Sequence, residues 1–149
     1  MSLHPVFPAD TDPAALAQYA ALCWRVRKSG RHQVLLITSR DTGRWVLPKG
    51  WPIPGLDPHV SAAQEAWEEA GVEGEALPLP AGFYSYVKDN GSRARLCRVA
   101  VFPLHVSRLA RHFPEQGQRR LKWFSPAKAA GKVAEPQLAA LLAAWQPAP

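Results

Sequence analysis

The chain has 149 residues, 47% hydrophobic and 20% charged, with 18 Lys and Arg against 12 Asp and Glu for a net charge of +6. That length predicts one domain, 1–149, large enough to bury a core, and the lack of a long apolar run excludes a membrane-spanning helix. The basic balance favours polyanionic partners, either nucleic acid or highly phosphorylated small molecules.

The first ten residues have neither a basic start nor a long apolar stretch, so no signal peptide is expected. Pro5, Pro8 and Pro13 punctuate residues 1–15, which read as a loose N-terminal arm. Residues 18–26 and 33–39 read as strands, separated by a break at Ser29-Gly30. A turn at Asp41-Thr42-Gly43 leads to a short strand at 45–47, which ends at Pro48. Residues 49–56 hold two prolines and two glycines and read as a loop, stiff in some places and permissive in others.

Asp57-Pro58 is a helix start, an N-cap acceptor followed by proline at the first helical position. Gly71 suits the left-handed residue at a helix C-terminus, so the helix is expected over 58–70. Residues 83–87 and 95–102 read as strands around a turn at 88–91, and 121–124 as another. Ser125-Pro126 opens a helical turn. A last helix, 135–145, carries Leu138, Leu141, Leu142 and Trp145 on one face. Mixed strands with a mid-chain and a terminal helix predict an α/β (α+β) domain, a sheet packed between helices. Cys23 and Cys97 have no metal-type spacing and read as buried strand thiols, which fits a reducing cytoplasm.

The helix over 58–70 carries the chemistry. At about 100° per residue, Glu65, Glu68 and Glu69 fall within roughly a third of its circumference, with Ala63, Ala66, Trp67 and Ala70 on the other side, Trp67 in the core. Three crowded carboxylates repel one another unless a cation stands between them. Mg2+ takes oxygen ligands and keeps several waters, so such a site can clamp and polarise a diphosphate. An exposed acidic helix face is the plain alternative for an E-x-x-E-E string taken alone. The fixed sequence of loop, cap, helix and glycine stop favours the metal site.

The run from Gly50 to Val72 closely resembles the Nudix hydrolase signature: Gly, five residues, Glu, seven residues, Arg-Glu-apolar-any-Glu-Glu-any-Gly-apolar. Two positions depart from it, Leu56 in place of the glutamate and Gln64 in place of the arginine. Residues 45–50 resemble the family's entry strand and 119–126 its late strand, so the likeness covers about 18–145. It implies a Nudix-like α/β/α sandwich with a mixed β-sheet between helices. It also implies an enzyme that uses Mg2+, for which Mn2+ can substitute, to cleave the phosphoanhydride of a nucleoside diphosphate linked to some other moiety, or of a relative of that substrate. Glu65 and Glu69, with Glu68, are the implied metal ligands, completed by the backbone carbonyl of Lys49. Glu68 is the candidate base, and Glu115, in the loop 113–118, is a second.

Arg40 and Arg44, Arg93 and Arg95, and Arg119, Arg120 and Lys122 are the cations that would border the cleft. Arginine's planar fork suits phosphate. Lys49, Gly50 and Trp51 are further candidates for substrate contact. The Leu-Pro-Lys-Gly run and the Gln-Glu-Ala-x-Glu-Glu-Ala-Gly variant resemble the branch acting on diphosphoinositol polyphosphates and dinucleoside polyphosphates. Two other readings stand beside it. One is removal of pyrophosphate from RNA 5′ ends, although no continuous basic tract interleaved with aromatics is visible. The other is a non-catalytic Nudix ligand-binding module.

Overall fold

The computed structural model describes residues 6–89, 91 and 93–148. Its eight strands are β1 (Leu16–Val26), β2 (His32–Thr38), β3 (Trp45–Val46), β4 (Lys49–Gly50), β5 (Val72–Ala76), β6 (Gly82–Asp89), β7 (Ala94–Leu109) and β8 (Leu121–Phe124). The helices are α1 (Pro58–Ala70), α2 (Pro126–Lys132) and α3 (Pro136–Ala144). All the strands join one mixed sheet with the spine β3-β2-β1-β7-β5, to which β4 adds at β1, β6 at β7 and β8 at β2. The central pair β1–β7 is parallel, and the other pairs are antiparallel.

Strand periodicity divides the core in two. Tyr19, Ala21, Cys23, Leu35, Ile37, Ala100 and Phe102 face α1 and its alanines Ala62, Ala66 and Ala70. Their neighbours Ala20, Leu22, Val34, Leu36, Val99 and Val101 face α2 and α3 through Ala129, Leu138 and Leu142. Both faces of the sheet are therefore covered, as in the expected sandwich, and the central strands read as nearly unbroken apolar runs. The small side chains of α1 let its backbone come close to the sheet, which brings its glutamates to the level of β4.

Several expectations change. Val6 and Phe7 of the N-terminal segment pack into the α1-side core, and Phe7 lies against Tyr19 and Phe83, so the segment is anchored there rather than loose. Residues 1–5 lie outside the described residues, as does Asn90 in the turn expected at 88–91. Lys49 and Gly50, expected in a loop, form β4 by pairing with Ala20 and Tyr19. β5 was not expected at all. Trp67 is half-buried and belongs to neither core cluster, whereas Ser61 on the same helix is fully buried and accepts a hydrogen bond from the Ile53 N–H. Asp57 occupies the N-cap of α1 without making a side-chain cap bond.

Candidate active site

The site forms where β4, α1 and the loop after β7 converge. Helical geometry sorts the three glutamates. Glu65 and Glu69 are one turn apart and stand in one row on α1, while Glu68 shares the neighbouring row with Gln64. The Gln64 Nε2 donates to the Glu68 carboxylate at 2.8 Å. Glu65 and Glu69 hydrogen-bond to each other instead and line a cavity of about 480 Å3. Glu68 is not among the residues that line it.

Close approach to the backbone fixes this pair. A Cβ on Gly50 would run into the Glu65 carboxyl group, so glycine is what lets that side chain lie on β4. The Lys49 backbone N–H donates to the Glu69 carboxylate at 3.4 Å. Glu69 is 6% exposed. Burial, reinforced by the hydrogen bond that protonated Glu69 donates to Glu65, pushes its carboxyl up to about 8, with Arg119 pulling the other way. Burial also raises Glu65, and its bond to Glu69 opposes that rise. Two carboxyl groups confined together share a proton when no cation is present to hold both ionised.

The C-terminus of α1 brings in a third carboxyl. Gly71 takes a left-handed conformation at φ 69° and closes the helix by donating to the carbonyls of Ala66 and Trp67. The loop after β7 then satisfies free backbone groups near that end. The Ala110 N–H donates to the Gly71 carbonyl at 2.8 Å and the Glu115 N–H to the Glu68 carbonyl at 2.9 Å. Glu68 thus contributes its backbone to the site by holding the loop that carries Glu115.

Arg119 joins the acids. Its Nη2 donates to Glu115 at 3.0 Å and lies 3.9 Å from Glu69, and its Nη1 donates to the Thr38 carbonyl. The Arg119 side chain is only 10% exposed, and its buried Nε has no hydrogen-bond partner among the described residues. Arg40 stands at the mouth, 3.6 Å from Glu115, with a hydrogen bond to Gln118.

Basic and aromatic residues complete the lining. Burial pushes the Lys49 ammonium below its usual value, with Glu69 opposing. Its Nζ lies 5.1 Å from the centre of the Tyr86 ring, whose hydroxyl donates to Gln18 at 2.6 Å. Lys88 also lines the cavity, and Trp51, 45% exposed, stands on its rim. The structure therefore gathers Glu65, Glu69, Glu115, Lys49, Gly50, Trp51, Arg40 and Arg119. It leaves Arg93 and Arg95 exposed and outside the cavity. Sequence reasoning missed Gln18 and Lys88. Only the β1–β4 and β6–β7 registers bring them in, although Lys88 adjoins a strand whose alternation was visible.

Among the described residues, no group of three or more His, Cys, Asp or Glu is arranged to hold a metal ion. The donor chemistry nonetheless suits a hard divalent cation: two adjacent carboxylates short of positive charge, and a third held nearby by an arginine.

Mouse diphosphoinositol polyphosphate phosphohydrolase 3-alpha is 33% identical over 117 residues, covering 76% of this chain and 66% of the relative. The chain thus spans just under two thirds of that relative's length. Nudix hydrolase 16, mitochondrial, of Arabidopsis thaliana is 33% identical over 97 residues, covering 62% of this chain and 53% of the relative. Among solved structures, the C. elegans Ap4A hydrolase superposes with a TM-score of 0.62 at 17% identity, covering 87% of this chain and 94% of that one. A NUDIX hydrolase from Nitrosomonas europaea reaches 0.67 at 18% identity, covering 87% and 86%. These structural likenesses bear on the fold. The NUDIX domain family matches residues 16–145, nearly the whole described chain, and the protein belongs to the Nudix family.

Proposed function

We propose that the chain is a Mg2+-dependent hydrolase that cleaves a phosphoanhydride bond in a phosphate-rich small molecule, such as a diphosphoinositol polyphosphate or a dinucleoside polyphosphate. The observation that carries this reading is the Glu65–Glu69 pair lining one cavity together with Lys49, Glu115 and Arg119. Similarity to the mouse diphosphoinositol polyphosphate phosphohydrolase supports the substrate class.

In this reading Glu65 and Glu69, with the Lys49 carbonyl, hold the cation, and Mn2+ substitutes for Mg2+. When bound, the ion neutralises the bridging phosphate oxygens and acidifies an attacking water. Lys49, Lys88 and Arg40 hold the phosphates, and Trp51 offers an aromatic face at the rim. Glu115 is the preferred base, since it faces the cavity while Gln64 occupies the Glu68 carboxylate. Glu68 is the second candidate. Arg119 would balance the charge of an ionised Glu69 and keep Glu115 aimed inward. Arg93 and Arg95 are proposed to meet only substrates that extend beyond the cavity. The whole of 1–149 is taken as one domain, working in the cytoplasm, where free Cys23 and Cys97 stay reduced.

The test is an assay with Mg2+ or Mn2+ against a panel of phosphoanhydrides, with products identified by mass. Turnover of diadenosine polyphosphates or inositol pyrophosphates above nucleotide sugars is expected. Preference for ADP-ribose or plain nucleoside triphosphates removes the substrate assignment. Absence of turnover on the whole panel, with ligand binding retained, favours a non-catalytic binding module.

A further inference from the structure

A second polar groove lies apart from the carboxylate cavity and has the opposite character. The β1–β2 turn brings Arg25, Arg27, Lys28 and Arg31 to a groove of about 1130 Å3, and β8 and α2 bring Lys122, Lys128 and Lys132. No Asp or Glu among the described residues lines it. Seven of the chain's 18 Lys and Arg stand here, so the other eleven face all twelve Asp and Glu elsewhere. The groove therefore holds the whole positive excess of the molecule. All but Arg25 are exposed, and none of the seven forms an ion pair among the described residues.

Aromatic side chains support these cations. The Arg25 guanidinium lies 4.1 Å from the Trp123 ring centre, and the Lys122 and Lys132 ammonium groups lie 5.4 and 5.9 Å from that of Phe124. Such contacts hold a charge over a ring and keep it available to solvent. They also occupy ring faces on which a base would otherwise stack. The groove shares no lining residue with the carboxylate cavity. Gln18 of the cavity and Arg25 of the groove lie seven positions apart on β1, about 23 Å at the usual strand rise.

We propose that this groove binds the phosphate backbone of single-stranded nucleic acid without regard to base sequence, as a site separate from the cavity. Seven cations from two strands, a turn and a helix line one groove of about 1130 Å3, and that number matches a chain of linked phosphates better than a single small anion. A concave groove fits a strand better than it fits a flat membrane surface. Four of the cations come from the short run 25–31 and three from 122–132, so the groove forms only where the fold brings these two segments together. Bound nucleic acid would carry the Nudix cavity with it and leave that cavity open to small substrates.

The experiment follows the anisotropy of a fluorescein-labelled oligouridylate of about 12 nucleotides, in EDTA so that no metal bridges it to the cavity. If about five phosphates are engaged, a slope near −3.5 lowers affinity about 100-fold between about 50 and 200 mM salt. Oligoadenylate is expected to bind within about threefold of oligouridylate. The combined variant Arg27→Glu, Lys28→Glu and Arg31→Glu, confined to an exposed turn, loses binding and keeps its melting temperature and its small-substrate turnover. Lys128→Glu with Lys132→Glu weakens binding from the other wall, which guards against a misfolded turn. Arg40→Ala, at the mouth of the cavity, leaves oligonucleotide affinity unchanged. The proposal is overturned by a flat salt dependence, by a strong base preference, or by Arg40→Ala weakening binding as much as the turn variant. It is also overturned if linear inorganic polyphosphate or anionic phospholipid vesicles bind while the oligonucleotide does not.

Discussion

At the scale of single residues, the site is a charge balance around Arg119. One guanidinium serves Glu115 directly and Glu69 at longer range, from a position almost shut off from water. Removing it leaves acids without their cation. Arg119→Ala is expected to cost about 3 kcal/mol of stability in metal-free buffer, the usual penalty for breaking a buried pair from one side. Denaturant unfolding with and without Mg2+ measures it, and an equal loss in both media would mean that the arginine only packs. The glutamates separate by row on α1. Glu115→Gln is expected to lower kcat by about 10²- to 10⁴-fold, the range for a lost general base, while Glu68→Gln lowers it far less. The reverse order returns the base role to Glu68. The sequence set Glu65 and Glu69 apart from Glu68, the candidate base, but spacing gives angular positions and not which row meets β4. Glu68 stands in the neighbouring row, bonded to Gln64 and outside the cavity lining, and that outcome was hidden because it depends on which way the helix is turned.

At the scale of elements, α1 was legible to its ends. Asp57-Pro58 and Gly71 fixed its limits through backbone preferences that need no tertiary partner. β5 was not read because in Val72-Glu-Gly-Glu-Ala76 the alternate positions Val72, Gly74 and Ala76, of which Val72 and Ala76 meet the core, give too small an apolar signal, and pairing with β7, across a register shift at Glu73/Gly74, makes it a strand. β7 was read as 95–102, whereas it runs from Ala94 through Pro103 to Leu109. The Pro103 carbonyl accepts from Leu77 just beyond β5, so the missing N–H falls where that strand stops and costs no ladder bond. β4 is two residues long and owes its existence to β1. Gly71 joins these elements to the site. Its positive φ disfavours any side chain, and a Cβ there would come within 2.5 Å of the Phe113 ring, in the loop that carries Glu115. Gly71→Ala is therefore expected to lower stability by about 2 kcal/mol, near the upper end of the left-handed penalty. It should also depress kcat by shifting Glu115, with Mg2+ affinity less affected. Urea unfolding together with the kcat and KM of the variant checks this, and a stability loss with unchanged kcat would separate the loop from the chemistry.

At the scale of the whole molecule, the buried acid pair ties folding to pH and to metal. The Glu69 carboxyl titrates near 8 in the folded chain, against 4.5 for an unperturbed glutamate. Below about 4.5 folded and unfolded states both hold the proton, and its contribution to stability is complete. As the pH rises toward 8 the unfolded chain gives the proton up first, so the folded state binds more protons and stability falls. Lys49 acts in the opposite sense at higher pH, because burial lowers its value and the folded chain sheds that proton before the unfolded one does. A cation on Glu65 and Glu69 favours their ionised forms and cancels the acid penalty. The melting temperature in EDTA is therefore expected to fall between about pH 5 and 8, and the rise produced by saturating Mg2+ to grow over the same interval. Glu69→Gln cannot ionise and should flatten both trends. If the variant instead follows the parent protein across the series, the pH dependence originates outside the acid pair. The proposal that this pair holds a cation would then lose its support.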